Sequence, residues 1–377
     1  MPKINNLQAI DLFSGAGGMS LGFEQAGFNV IAAIDVDPIH ISTYKNNFPY
    51  CCTICADVSQ ITGKEIFQVA NLGKKELDLL FGGPPCNGFS LMGKRKFKDP
   101  RNQLLLHFAR LVKELSPKYF VMENVNGLLI EPMNKILELF IEKINKSGYS
   151  IVNPIKTLNA SEFGVPQNRK RLFMLGYKNG LSEPKYPDYS LIKKMNICTN
   201  VKVRDAICDL PNIDIVDELF KYDIFYGKLK KTKSNYAKIL RGDIKSDFDR
   251  SNRKFSNNFG LTGCHRTKHN TETVKRFNSI FPGTVEPISR FYRLSMDGLC
   301  PTLRAGAVKE FGSFTAPRPI HPLKPRCITI REGARLHSYP DSFNFHHTIW
   351  HGFRQIGNSV PPFLARLVAE SIYEVLQ

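Results

Sequence analysis

The chain has 377 residues, is 42% hydrophobic, and carries a formal net charge of +18 with an isoelectric point near 9.5. Single hydrophobic cores stop growing at roughly 250–300 residues, so this length predicts two domains. No stretch approaches the roughly 20 apolar residues of a membrane span, and Met1 is not followed by the apolar core of a signal peptide. We therefore expect a soluble cytoplasmic protein without a membrane partner, whose positive charge indicates a polyanion such as nucleic acid.

Short apolar runs alternate with amphipathic segments from Gln8 to Tyr177, which is the pattern of a doubly wound α/β sheet. In such sheets ligands bind beyond the carboxyl ends of the strands. The predicted strands are Ala9–Phe13, Val30–Ile34, Thr53–Val58, Leu77–Phe81, Tyr119–Met122, Ile151–Leu158 and Arg171–Tyr177. The predicted helices are Leu21–Ala26, Ile39–Asn46, Leu104–Leu115, Asn134–Lys146 and, near the end of the chain, Phe363–Val375.

The alternation stops at Lys178, and the segment from there to Pro325 is rich in Asn, Ser, Lys, Phe and Tyr. It holds 27 Lys and Arg against 15 Asp and Glu, which is 12 of the 18 excess positive charges. This composition predicts a second, smaller and basic domain. We assign residues 1–180 and 352–377 to the first domain, and residues 181–351 to the second domain and its hinge.

A glycine-rich turn, Asp11–Gly18, follows the first predicted strand, where glycines let the backbone approach a ligand before a helix begins. It is not the G-x-G-x-x-G of dinucleotide binders and no Walker lysine follows, so a purely structural turn stays an alternative. Asp35 ends the second strand, where an acid commonly binds ribose hydroxyls. Asp57 ends the third strand. The three features together indicate a nucleoside site without a diphosphate.

Cys86 is the candidate nucleophile, because Gly82–Cys86 ends an apolar run and two prolines fix the approach of the chain to the thiol. A buried structural thiol is the alternative. Glu123 ends the neighbouring predicted strand and should face the same pocket, unless it is a helix-capping acid. Arg169 and Arg171 occupy alternate positions at the start of the seventh strand, so we expect them to point to one face.

Nine cysteines without a secretory signal favour reduced thiols over disulfides. Cys52 and Cys55 have the spacing of half a zinc site or a redox pair, but no second pair follows, and a partly buried strand is the favoured interpretation. The histidines, including His346 and His347, lack a convincing ligand set. We therefore expect no metal.

These residues resemble the DNA (cytosine-5) methyltransferase family of the bacterial restriction-modification type, in family order over nearly the whole chain. One departure is Asn87, where the family usually has Gln after the cysteine. The shared motifs are Asp11–Gly18, Gly83–Ser90, Glu123–Val125, Gln167–Arg171, Arg331–Leu336 with Tyr339–Asp341, Gln355–Val360 and, near the end of the basic segment, Pro301–Arg304.

The resemblance implies a Rossmann-like S-adenosylmethionine-dependent methyltransferase sheet, with the basic segment as target recognition domain. It implies methyl transfer to carbon 5 of a cytosine flipped out of a specific duplex DNA sequence, protecting DNA from a cognate restriction endonuclease that forms no stable complex with the enzyme. By the same match, Cys86 adds to carbon 6, Glu123 binds the ring nitrogen and exocyclic amine, Arg171 holds the carbonyl oxygen and Arg169 supports the pocket.

The resemblance also implies contacts to the donor and to DNA. Arg304 is the first candidate for bidentate reading of a guanine, while His265, Arg266 and Lys268 are candidate phosphate contacts. The loop Asn87–Asn102 would close over the flipped base. The residues expected at S-adenosylmethionine are Phe13, Gly15, Gly17, Asp35, Val36, Asp57, Val58, Pro85, Leu104, Asn358 and Ser359. Those expected at duplex DNA are Ser90, Lys94, Lys96, Lys98, Thr302 and Arg304.

Two other functions stay open. Some members of the family methylate cytosine in tRNA with the same catalytic layout, although the long basic segment favours DNA. A catalytically dead DNA-binding protein would be expected to have lost Cys86, Glu123 or the glycine-rich turn, and all three are present.

Overall fold

The computed structural model describes residues 7–73, 76–85, 103–195, 197–245, 249–251, 260–306 and 317–377. The chain divides into two compact units. The first unit comprises Met1–Asn159, Lys170–Lys194 and Ala365–Gln377, and the second comprises Ala160–Arg169 and Met195–Leu364. No helix in the described parts of the chain is long and apolar enough to cross a membrane.

An eight-stranded sheet forms the centre of the first unit, in which β1 to β5 are parallel and β9 runs antiparallel to β5, β6 and β7. The strands are β1 (Leu7–Leu12), β2 (Phe28–Asp35), β3 (Cys52–Cys55), β4 (Leu79–Gly82), β5 (Tyr119–Asn124), β6 (Tyr149–Ile151), β7 (Lys156–Asn159) and β9 (Lys170–Lys178). Their order is β3-β2-β1-β4-β5-β9-β6, with β7 also paired to β9. In the second unit, β8 (Gln167–Asn168) pairs in parallel with β10 (Cys300–Pro301).

Amphipathic helices cover the sheet, and three aromatic rings illustrate how they bury its apolar strands. Phe120 of the fully buried β5 lies 6.1 Å from Phe108 and 6.4 Å from Phe140, measured between ring centroids. The helices of the first unit are α1 (Gly18–Gln25), α2 (Pro38–Asn47), α3 (Gly63–Val69), α4 (Leu104–Leu115), α5 (Asn134–Lys146) and α6 (Tyr189–Lys194), and those of the second are α7 (Val203–Ile207), α8 (Asn235–Arg241), α9 (Thr271–Ser279), α10 (Ile330–Leu336) and α11 (Ile349–Asn358). The last helix, α12 (Pro362–Leu376), continues into the first unit from Ala365.

The α/β fold predicted from the periodicity is confirmed, and α4 and α5 have the predicted bounds. The single strand predicted at Ile151–Leu158 is wrong, because β6 and β7 are separate strands with Pro154, which has no N–H to donate, between them. The prediction also missed α3, whose start is marked by a capping box between Thr62 and Glu65. Cys52 to Cys55 form β3, as the sequence favoured.

Buried arginines organise the described interior of the second unit. Arg335 is fully buried and donates two hydrogen bonds to Asp341, at 2.6 and 2.7 Å, and two to Asp209, each at 3.2 Å. Such bidentate, charge-assisted bonds fix geometry as well as energy. Removing one partner from a buried pair costs about 3–5 kcal/mol, because the other charge is left uncompensated.

A second buried pair stabilises the start of α10. Arg326 donates to both oxygens of Glu332, at 2.8 and 2.9 Å, and Glu332 also accepts the backbone N–H of Thr329 at 2.7 Å, which closes the capping box of the helix. Burial alone would raise the pKa of Glu332, but the Arg326 guanidinium, His321 and the backbone N–H of Thr329 together outweigh that effect and lower it to about 2.

Glu332→Gln should therefore lower the free energy of unfolding at pH 7 by on the order of 3 kcal/mol. The folded pKa lies below the usual 4.5, so the stabilisation is complete above about pH 4.5 and is lost as the pH falls towards 2. Urea unfolding between pH 7 and pH 3 should show the difference between wild type and variant shrinking. Glu272→Gln, an exposed position on α9, is the control. A difference that stayed constant over this range would rule out the charge of Glu332 as the cause.

Candidate functional site

Glu123 and Arg171 form an ion pair in the first unit, at the end of the sheet where the parallel strands have their carboxyl ends. Because β9 is antiparallel to β5, the beginning of β9 lies beside the end of β5. The Arg171 Nε donates to Glu123 Oε1 at 2.8 Å, and the two side chains are only 14% and 11% exposed. Arg171 Nη1 also donates to the carbonyl of Lys170 at 2.8 Å. The pair presents a carboxylate and a guanidinium, which match the donors and acceptors on one edge of a nucleobase.

The chain leading towards Cys86 passes close to this pair. A Cβ on Gly82 would lie 2.1 Å from the carbonyl oxygen of Leu12, and one on Gly83 would lie 2.7 Å from Glu123 Oε2. Asn124 Nδ2 donates to the carbonyl of Pro84 at 3.3 Å. Glycine is therefore required at Gly82 by the backbone of Leu12, and a side chain at Gly83 would displace the carboxylate of Glu123.

Several predicted residues lie outside the described ones. They include the predicted nucleophile and every predicted DNA contact in the segment Asn87–Asn102. The set comprises Cys86, Asn87, Ser90, Lys94, Lys96 and Lys98.

The glycine-rich turn has a backbone that side chains rarely adopt. Phe13, Gly15 and Gly17 have φ values of 62°, 54° and 96°. Gly17 also packs so closely that an added Cβ would lie 2.3 Å from a ring carbon of Phe48. Glycine therefore relieves backbone strain at Gly15 and Gly17, and at Gly17 it is also favoured by packing.

Asp35 is held at the end of β2, next to this turn. Its two carboxylate oxygens accept the backbone N–H groups of Gly15 and Asp37, each at 2.8 Å. The following residue, Val36, is 67% exposed, which leaves an apolar surface beside the carboxylate. The nucleoside-binding site expected from the sequence would thus have an oriented carboxylate, an exposed apolar side chain and the backbone of the glycine-rich turn next to each other.

The other residues of the first unit that were predicted to contact S-adenosylmethionine lie near neighbouring strand ends or helix starts. Asp57 is exposed two residues after β3 and accepts the backbone N–H of Ser59 at 2.8 Å. Val58 is buried, whereas Pro85 and Leu104 are half-buried. Asp57 and Pro85 follow parallel strands at their carboxyl ends, the edge at which such sheets bind ligands.

A buried polar chain behind the turn was not predicted. Asp11 Oδ2 accepts the Ser20 hydroxyl at 2.5 Å, and the Tyr44 hydroxyl donates to Ser20 at 2.8 Å. Burial raises the pKa of Asp11 well above its usual value. Ser20 and Tyr44 lie in helical segments whose sequence gives no sign of this contact.

Arg169 lies in the second unit and is not part of β9, which begins at Lys170, so the alternating pattern predicted for the two arginines is wrong. Its buried guanidinium donates to the backbone carbonyls of Leu303 at 3.0 Å, Gly357 at 2.7 Å and Ser359 at 2.8 Å. Arg169 therefore fixes backbone of the second unit.

Thr302 and Arg304 flank one of these anchored carbonyls. The Thr302 hydroxyl donates to the carbonyl of Asn168 at 2.7 Å, while the Arg304 side chain is exposed. A Cβ on Gly357 would lie 2.3 Å from the carbonyl carbon of Arg304, so the backbone here is tightly packed. Asn358, at the end of α11, is exposed.

The predicted phosphate contacts differ in their surroundings. Arg266 lies over the Phe220 ring, 4.0 Å from its centroid, and pairs with Asp217 at 3.3 Å. Lys268 is exposed. Among the described residues, no group of three or more His, Cys, Asp and Glu side chains could hold a metal ion.

Comparison with known proteins gives consistent results. The family model for C-5 cytosine-specific DNA methylase matches residues 7–374. The Type II methyltransferase M.XorII of Xanthomonas oryzae is 49% identical over 368 residues, 98% of this chain and 85% of that protein. M.DdeI of Desulfomicrobium norvegicum is 32% identical, over 97% and 88% of the two chains. A crystal structure described as a DNA modification methyltransferase encoded within an E. coli prophage is 36% identical, with a TM-score of 0.82 over 98% and 99% of the chains. The chain therefore belongs to the C-5 cytosine-specific DNA methylase family, and it is a DNA cytosine-5 methyltransferase.

Proposed function

We propose that this enzyme transfers a methyl group from S-adenosylmethionine to carbon 5 of a cytosine flipped out of a specific duplex DNA sequence, through a covalent adduct with Cys86. The observation that carries the proposal is the Glu123–Arg171 pair, which lies beside the strand end that leads to Cys86. Its relatives M.XorII and M.DdeI are named Type II methyltransferases, so we further propose that methylation protects DNA from a cognate endonuclease.

The pair meets a chemical need of the reaction. Carbon 5 of cytosine is a poor nucleophile until the ring gains electron density. Addition of the Cys86 thiolate to carbon 6 supplies that density, provided that the developing charge is stabilised. In our proposal Glu123 accepts hydrogen bonds from the exocyclic amine and from the proton that N3 gains from solvent as the thiolate adds and gives up when it leaves, and Arg171 donates to the carbonyl oxygen at position 2.

The remaining steps regenerate the enzyme. Bound S-adenosylmethionine supplies an electrophilic methyl group, which bonds to carbon 5 as the carbon–sulfur bond of the donor breaks. Loss of the proton from carbon 5 then returns its electron pair to the ring, and the Cys86 thiolate leaves carbon 6. The product is 5-methylcytosine.

The donor site is supported by the residues at the ends of β1 and β2. The family uses S-adenosylmethionine, which has ribose hydroxyls and an adenine but no phosphate. Asp35 offers an oriented carboxylate for the hydroxyls, and the exposed face of Val36 offers apolar area for the adenine. We propose that Gly15 and Gly17 line the methionine end, and a Cβ on Gly15 would meet no atom within 4 Å.

We propose the basic segment as the target recognition domain, within the predicted bounds 181–351. Arg304 is the proposed base reader, because its exposed side chain extends from a backbone held by Gln167, Arg169 and Gly357. A side chain on a rigid backbone can discriminate bases more sharply than one on a loose loop. Thr302 and Lys268 are proposed as supporting contacts, Lys268 to phosphate.

Cys86→Ser should bind donor and DNA but lose covalent trapping by duplex DNA containing 5-fluorocytosine at the target position. Fluorine at carbon 5 blocks the loss of a proton, so a thiol nucleophile stays attached to carbon 6. Denaturing gel electrophoresis measures the adduct. Cys55→Ser, at an exposed thiol on β3, should trap like the wild type. An adduct with Cys86→Ser would show that another residue is the nucleophile.

Arg171→Gln should lower kcat by roughly 10²–10³-fold and leave donor affinity unchanged, because its guanidinium stabilises charge on the base rather than binding the donor. Lys118→Gln is a matched control, since Lys118 pairs with Asp78 at 2.7 Å where β4 and β5 begin. Steady-state kinetics and calorimetry with S-adenosylhomocysteine separate the two effects. Equal losses of kcat in the two variants would remove Arg171 from the site.

Arg304→Ala should relax one base position of the recognition sequence, at roughly 1–3 kcal/mol of discrimination. Lys268→Ala should instead weaken methylation of all sequences alike, because phosphate contacts carry no sequence information. Bisulfite sequencing of a randomised duplex library gives the preference at every position. If the Arg304→Ala preferences matched those of the wild type throughout, Arg304 would not read a base.

A further inference from the structure

A buried histidine, His40, lies on α2 beside the carboxylate that we assign to the ribose. Its side chain is 8% exposed. Nδ1 lies 3.4 Å from Oδ1 of Asp35, and Nε2 lies 4.0 Å from Oδ2 of Asp37. Nε2 has no hydrogen-bond partner among the described residues. The ring is therefore placed between two carboxylates at the edge of the donor site.

Asp35 is held from three directions. The backbone N–H of Gly15 belongs to the glycine-rich turn, the N–H of Asp37 belongs to the turn after β2, and His40 belongs to the first turn of α2. The two backbone contacts are fixed by the fold and do not depend on side chains. His40 is a side-chain contact to the same oxygen that accepts the N–H of Asp37.

A packing role alone gives no reason for an imidazole at this position. A buried polar ring costs free energy unless its nitrogens find partners, and an apolar side chain would fill the same space without that cost. Nδ1 is close enough to the Asp35 carboxylate for an electrostatic contact. The 3.4 Å contact limits the rotation of the Asp35 side chain, which decides where its remaining lone pairs point.

We propose that His40 is a positioning residue for the ribose-binding carboxylate, which holds Asp35 so that it accepts both ribose hydroxyls of the donor. This inference rests on the proposed role of Asp35. It implies that loss of His40 weakens recognition of the hydroxyls and leaves the transfer of the methyl group unchanged once the donor is bound.

The test compares S-adenosylhomocysteine with its 2′,3′-dideoxy analogue, with dissociation constants measured by calorimetry. His40→Ala should weaken binding of S-adenosylhomocysteine roughly tenfold, because Asp35 loses the contact that orients it towards the hydroxyls, and should leave binding of the dideoxy analogue unchanged. The KM for S-adenosylmethionine should rise while kcat at saturating donor stays the same. His40→Asn, whose amide nitrogen can replace Nδ1, should restore part of the preference for the hydroxyls.

Two controls separate the possible outcomes. Ser42→Ala changes an exposed residue on the same helix and should bind both ligands like the wild type. Asp35→Asn should lose the preference for the hydroxyls, and if it does not, the ribose assignment itself is wrong. If Asp35→Asn loses that preference but His40→Ala weakens both ligands equally, His40 only packs the helix and this inference is overturned.

Discussion

The antiparallel placement of β9 is the constraint on which the Glu123–Arg171 pair of the first unit depends. The strands β1 to β5 are parallel, so their carboxyl ends share one edge of the sheet, and a further parallel strand would have its first residue at the opposite edge. Because β9 is reversed, Arg171 at its beginning lies beside Glu123 at the end of β5. The reversed direction of β9 thus places a guanidinium at the edge of the sheet that is otherwise formed by the carboxyl ends of the parallel strands.

Close backbone packing at that edge lets the strand ends approach one another. Gly82 lies against the backbone of Leu12, at a separation that no Cβ could occupy, and Gly83 lies against the carboxylate of Glu123, which a Cβ would displace. Gly17 packs equally closely against the ring of Phe48. The glycines at this edge are therefore fixed by contacts between strands and helices as well as by any ligand, which explains why a glycine-rich turn alone is weak evidence of a binding site.

Local periodicity was enough to predict the strands that carry Asp35 and Glu123, since each is a short apolar run followed by a polar residue. It could not predict the partners that the fold brings from far along the chain. The hydrogen bonds among Asp11, Ser20 and Tyr44 join one strand and two helices, and the ion pair of Arg171 depends on the direction of a strand. Neither these hydrogen bonds nor this ion pair leaves a periodic pattern in the sequence. Pro154 marks the break between β6 and β7, because it has no N–H to donate to a strand ladder.

The contrast between Arg169 and Arg171 shows why residue type and spacing do not fix a role. Both arginines lie within one predicted motif, two positions apart. Arg169 binds three backbone carbonyls of the second unit, whereas Arg171 binds a carboxylate in the first. The planar fork of a guanidinium suits both tasks, because it can donate in several fixed directions at once. A lysine, as a compact charge with rotatable donors, would keep the charge at either position but could not reproduce three separate carbonyl contacts at the first. The structural arginine therefore depends on geometry, and the catalytic candidate depends on geometry and charge together.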